Sequence, residues 1–125
     1  MTSEVSVYAG SVIIIVWGIA HLVPVRQVVA GFGAISDDNR KIIMMEWTAE
    51  GLFLIFTGLL ALLAIYAGGP DNPVSLLVIR ALAIMLVVLA GLTAMTGART
   101  SIVPMKICPF VKTVCAVLLI EGTAI

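Results

Sequence analysis

A chain of 125 residues that is 62% hydrophobic and only 11% charged departs far from a water-soluble domain, in which about 45–50% of residues are apolar and about 25% charged. A soluble domain of this size has too much surface to cover with so few charges, so lipid is the solvent that fits. The net charge is zero and the seven Lys and Arg are spread along the chain, which argues against nucleic acid as a partner.

Four apolar runs follow one another, and the reading is an all-α bundle of four antiparallel transmembrane helices in a single domain. The helices fall at about 5–23, 37–67, 74–97 and 104–125, each close to the roughly 20 residues that cross a hydrocarbon core of about 30 Å. The first run contains SVIIIVWGIA and stops before Pro24, because proline disfavours helix at the residue before it. No basic residue precedes that run and no small-x-small site follows it, so it reads as a retained helix rather than a cleaved leader. Near-continuous apolar runs leave no polar face for water, which disfavours a soluble helical bundle.

The link between the first two runs is the longest. Val28, Val29 and Phe32 make its first part a short segment for the membrane interface. Ser36 then offers an N-cap, and Asp37 and Asp38 suit the first turn of a helix dipole. The second helix therefore starts near Asp37 and projects beyond the membrane. The link GGPDNP (68–73) is tight-turn chemistry, so the second and third helices should form an antiparallel hairpin. The fourth helix begins at Pro104 or at Pro109, since proline is tolerated in a first turn. Small residues recur on one face of each of three helices. These are Gly10 and Gly18, Gly51 and Gly58, and Gly91, Ala94 and Ala98. They fit close packing within the bundle or a dimerisation face.

Charge fixes an expected topology. Arg26, Arg40 and Lys41 lie in the first link, Arg99 and Lys106 between the last two runs, and Lys112 just inside the last; Arg80 alone falls toward the other side. Basic loops stay in the cytoplasm. The expectation is a multi-pass cell-membrane protein, of bacterial inner-membrane type, with both termini extracytoplasmic.

Ionisable groups at membrane depth are the candidate site residues. Arg80 and Glu121 reach a similar outer depth on neighbouring helices, and an intramembrane ion pair would spare both charges. Near the inner side, His21 ends the first helix while Glu46 and Glu50 share a face of the second. Trp17 lies one turn from His21, and Trp47 adjoins Glu46. Two carboxylates and an imidazole suit proton or polar-ligand binding, or a divalent metal, as well as a purely structural network. Lys112, Cys108 and Cys115 share a face of the last helix. Lys112 there is long enough to snorkel to headgroups, and the cysteines read as packing residues. At about 10 Å apart along a helix, they are too distant for an intrahelical disulfide.

The run WGIAHLVP (17–24), the run EWTAEG (46–51) and four short helices over nearly the whole chain resemble the DoxX-like group of small bacterial membrane proteins. The resemblance implies a subunit or partner of membrane redox enzymes near the quinone pool, and assigns no role to an individual residue. No catalytic motif is present, so a non-enzyme is favoured and no cofactor is named. Three functions fit. The first is a non-catalytic subunit or assembly factor of a larger membrane complex. The second is a binder of a small hydrophobic or redox molecule, a quinone or lipid, at the His/Glu cluster. The third is a small transporter built by homo-oligomerisation, although no inverted repeat or broken-helix pair is visible.

Overall fold

The computed structural model describes residues 3–124, and Met1, Thr2 and Ile125 lie outside the described residues. Among the described residues the regular structure is all helical, with α1 at Ser3–Leu22, α2 at Val25–Ala30, α3 at Asp37–Gly68, α4 at Pro73–Met95 and α5 at Val103–Glu121, and a 3-10 turn at Gly97–Arg99. Four of these helices are long and apolar enough to cross a membrane.

Local chemistry sets the ends. The Ser36 hydroxyl accepts from the Asn39 amide at 3.2 Å, satisfying one of the donors a helix start leaves free. The hairpin turn places Gly69 at φ +79°, a conformation open to glycine without a Cβ clash. Asn72 then caps α4 by accepting from Val74 and Ser75, with Pro73 at the first helical position. The Ser75 hydroxyl donates to the Ala64 carbonyl at 2.8 Å and ties the top of the hairpin. The last helix starts with Pro104 in its first turn, the earlier of the two expected starts, and stops short of the expected end. It begins at Val103 and carries Pro109 in its interior, and it ends at Glu121.

The four long helices form a ring in the order α1, α3, α4, α5, and α5 closes it against α1. Packing is most extensive between α1 and α3, while α3 and α4 make the least extensive of the four seams. Glycines explain the tight seam. A Cβ on Gly18 would stand 2.9 Å from the Gly51 carbonyl oxygen and 2.8 Å from Ile55, and one on Gly58 would stand 2.5 Å from the Ser11 carbonyl oxygen. Small residues let these backbones touch, which in lipid is the main source of association between apolar helices. Gly10 closes against α5 in the same way, 3.2 Å from the Cys115 carbonyl oxygen. Gly91 does not, because nothing lies within 4 Å of its Cβ position. Gly91 and Ala94 face outward and take no part in packing within the bundle.

The core is one apolar cluster that includes Val7, Ile14, Leu54, Ala61, Ile79, Leu86, Cys115 and Leu119. Each helix supplies about one such residue per turn, as a 3.6-residue period requires.

Candidate functional site

Four polar side chains meet near one end of this core, one from each long helix: His21 on α1, Glu50 on α3, Thr93 on α4 and Lys112 on α5. Their placement follows from helical register. On α1 the buried positions Val7, Ser11, Ile14, Gly18 and His21 recur once per turn, so His21 continues the inward stripe. On α5, Cys108, Lys112, Cys115 and Leu119 do the same. Lys112 also lies nine residues from either end of α5, and its ammonium turns inward to Glu50 and Thr93. Snorkelling is therefore corrected. The Lys112 side chain is 0% exposed and its charge is met inside the protein.

The Lys112 ammonium donates to Glu50 Oε1 at 2.5 Å and to the Thr93 hydroxyl at 3.0 Å. Thr93 in turn donates to the Leu89 carbonyl at 2.8 Å, so its hydroxyl is satisfied both ways. The second carboxylate oxygen of Glu50 lies 3.7 Å from His21 Nε2, beyond hydrogen-bond length. His21 Nε2 is buried and makes no hydrogen bond. Glu50 is the outermost member, with 33% of its side chain exposed.

Aromatic residues fix the imidazole. The Trp47 ring stacks on His21 at 4.2 Å between centroids and 8° from parallel. Its indole N–H donates to the His21 carbonyl at 2.7 Å, satisfying an acceptor in the last turn of α1. Trp17 is half-buried against the core and donates to the Cys108 sulfur at 3.4 Å.

Glu46 does not join the cluster. It is exposed, and it is Glu50 that pairs with Lys112 and stands beside His21. Among those residues no three His, Cys, Asp or Glu side chains gather closely enough to hold a metal ion. The intramembrane pair expected between Arg80 and Glu121 is also corrected. Arg80 donates to the Thr123 carbonyl at 2.7 Å and to its hydroxyl at 3.2 Å, while Glu121 is exposed. The reason is that α5 stops at Glu121. The final turn then folds Thr123 inward under Arg80 and turns Glu121 away. A guanidinium at that carbonyl also suits the negative end of the α5 dipole.

What sequence reasoning missed was Lys112 as the partner of Glu50. The signal was present in the stripe of Cys108, Lys112, Cys115 and Leu119, which places the lysine among core residues. Thr93 carried no signal of its own.

Chemically the cluster is a neutral assembly of one cation and one anion, with donor and acceptor capacity left over. An ammonium has three N–H donors, of which two are used here. One Glu50 oxygen and one imidazole nitrogen remain free of hydrogen bonds to the protein. Two surface grooves, of about 470 and 410 Å³, lie elsewhere; Lys41, Met44 and Leu52 line one, and Gly91, Ala94 and Phe110 the other.

Comparisons with protein-family models, with curated proteins and with solved structures found no match for this chain.

Proposed function

We propose that this protein is a small membrane-embedded binder of a lipophilic molecule, a quinone or a lipid, whose polar head is held by His21, Glu50 and Lys112. One observation carries the reading. A fully buried lysine is paired with a carboxylate that is one-third exposed and stands beside a buried imidazole nitrogen with no hydrogen bond. As a staple alone this arrangement is a poor choice. Removing two charges from water costs about as much as their attraction returns, and apolar residues of similar volume stabilise as well or better. Ionisable groups inside a membrane are rare and mark sites of ligands, ions or protons. The resemblance to DoxX-like proteins, which assigns no role to an individual residue, points to the quinone pool as well.

In this proposal the termini are extracytoplasmic and the cluster lies toward the cytoplasmic half of a bacterial inner membrane, because the basic links lie at that end. The test is to purify the protein from native membranes in mild detergent, extract it with organic solvent and identify lipophiles by mass spectrometry. A stoichiometric small lipophile lost from the folded double variant Lys112→Met/Glu50→Gln, and retained in Glu46→Gln, supports the reading. Equal lipid content in all three proteins overturns it.

A second reading, a non-catalytic subunit or assembly factor of a larger membrane complex, is favoured by the groove along the inner end of α3. That groove is lined by Lys41, Met44, Met45, Thr48, Ala49 and Leu52 and is covered by no other part of the described chain. Under it, the same purification yields a large protein partner in fixed ratio.

A further inference from the structure

The seam between α3 and α4 is built differently at its two ends. Glu50 and Gly68 are 18 residues apart on α3, and Ser75 and Thr93 are 18 apart on α4. Each interval is about five helical turns, so each pair shares a face. At the outer end those faces touch directly. The Ser75 hydroxyl bonds the Ala64 carbonyl, and a Cβ on Gly68 would collide with Ser75. Five turns down, Glu50 and Thr93 do not bond each other. Each binds the Lys112 ammonium, which reaches them from α5. At the inner end of the least packed seam in the ring, Glu50 and Thr93 are thus bridged by one side chain from a third helix, and the Glu50 side chain is one-third exposed.

We infer that the inner half of the α3–α4 seam is the lateral entrance through which a neutral lipophile with a hydroxyl or carbonyl head reaches Lys112, Glu50 and His21 from the bilayer. This rests on the binding reading above. Neutrality follows from the charge balance. Lys112 and Glu50 cancel, so a charged head would bring an unpaired charge into a buried setting. Head-group chemistry follows from the unused groups. The third Lys112 N–H donates to a carbonyl or hydroxyl oxygen, and the free Glu50 oxygen accepts from a hydroxyl. His21 Nε2 is more than nine-tenths buried and unpartnered, and serves either partner. Half-buried Leu82 and Leu89 stand about two and four turns from Ser75 and so share its face of α4, and Phe53 is half-buried on α3. Phe53 stands 11 residues, about three turns, from Ala64 and so shares its face.

The test uses the two native tryptophans as reporters, since Trp47 stacks on His21 and Trp17 bonds Cys108. The full chain in lipid vesicles is mixed with a brominated long-chain alcohol, whose bromines quench indole fluorescence. The same brominated chain is also supplied as a carboxylate and as a quaternary ammonium. The alcohol should show saturable quenching at about tenfold lower mole fraction than either charged chain, a preference equivalent to about 1.4 kcal/mol. Leu89→Phe should slow the approach to saturation several-fold at unchanged half-saturation, and Phe53→Ala should hasten it. Val16→Phe, on the outer face of α1, should do neither. Saturable binding with no preference among heads overturns the neutral-ligand inference. Rates that move no more in Leu89→Phe and Phe53→Ala than in Val16→Phe overturn the seam as entrance. Absence of saturable quenching by all three chains overturns the binding site itself.

Discussion

Lys112 and Glu50 meet across the diagonal of the bundle, joining α5 to α3, two helices that otherwise scarcely pack on each other. The contact therefore ties opposite corners of a ring whose neighbouring corners are held by backbone proximity and apolar packing. Thr93 lies under the same ammonium, so one lysine holds three of the four long helices in register.

Breaking this pair from one side should cost more than removing it. Lys112→Met leaves Glu50 without its cation and should destabilise the fold by about 3–5 kcal/mol. The double variant Lys112→Met/Glu50→Gln should recover most of that loss, because no uncompensated charge remains. Denaturation in mixed micelles, run as a double-mutant cycle, measures the coupling. A double variant as unstable as the sum of the singles would mean that the two side chains act independently.

The glycines should separate into two groups. Gly18→Ala and Gly58→Ala each place a Cβ within 2.9 Å of a carbonyl oxygen on the partner helix. Forcing α1 and α3 apart in this way should cost about 1–3 kcal/mol per site. Gly91→Ala meets open space and should be neutral, or stabilising by up to about 1 kcal/mol through helix propensity. Thermal unfolding of the three variants side by side checks the contrast, and a Gly91→Ala loss as large as the others would place that face in a packed interface.

Arg80 and Glu121 should behave as strangers. Arg80→Gln removes the cation that donates to the Thr123 carbonyl and should loosen the last turn of α5, costing about 1 kcal/mol. Glu121→Gln should change stability little. Their effects should add within about 0.5 kcal/mol, and a coupling well above that would show that the two side chains pair in the membrane.

Reporter fusions at each terminus should give extracytoplasmic signals, and a reporter inserted after Phe32 should give a cytoplasmic one. The basis is the clustering of Arg26, Arg40, Lys41, Arg99 and Lys106 at one end of the bundle, where positive loops are retained. Lys112 no longer counts toward that bias, because it is buried. A cytoplasmic signal at either terminus would invert the orientation proposed for the cluster.

The amino-acid sequence by itself determined the solvent, the number of spanning helices and most of their ends. These are local properties. Apolar run length decides what can cross a bilayer; Ser36 and Asn72 supply caps to the residues immediately after them; and Gly69 and Pro73 permit only a tight turn there. His21 and Glu50 were also legible as neighbours, because helices joined by one link tend to pack together. The rotation of each helix about its own axis was decided by the tertiary structure. In a helix that is apolar on every side, periodicity does not say which face looks inward, since lipid and core are equally apolar. The glycine contacts of α1 with α3 and α5 accompany the rotations that turn Lys112 into the core and make Glu50 the partner of a lysine 62 positions along the chain, and the contact of Gly68 with Ser75 accompanies the rotation of α4 that leaves Gly91 facing out. The end of α5 was decided the same way. The helix stops at Glu121 with Gly122 at its C-cap, and the turn that follows sets Thr123 against Arg80 and leaves the Glu121 carboxylate outward, a pairing that the apolar run alone does not disclose.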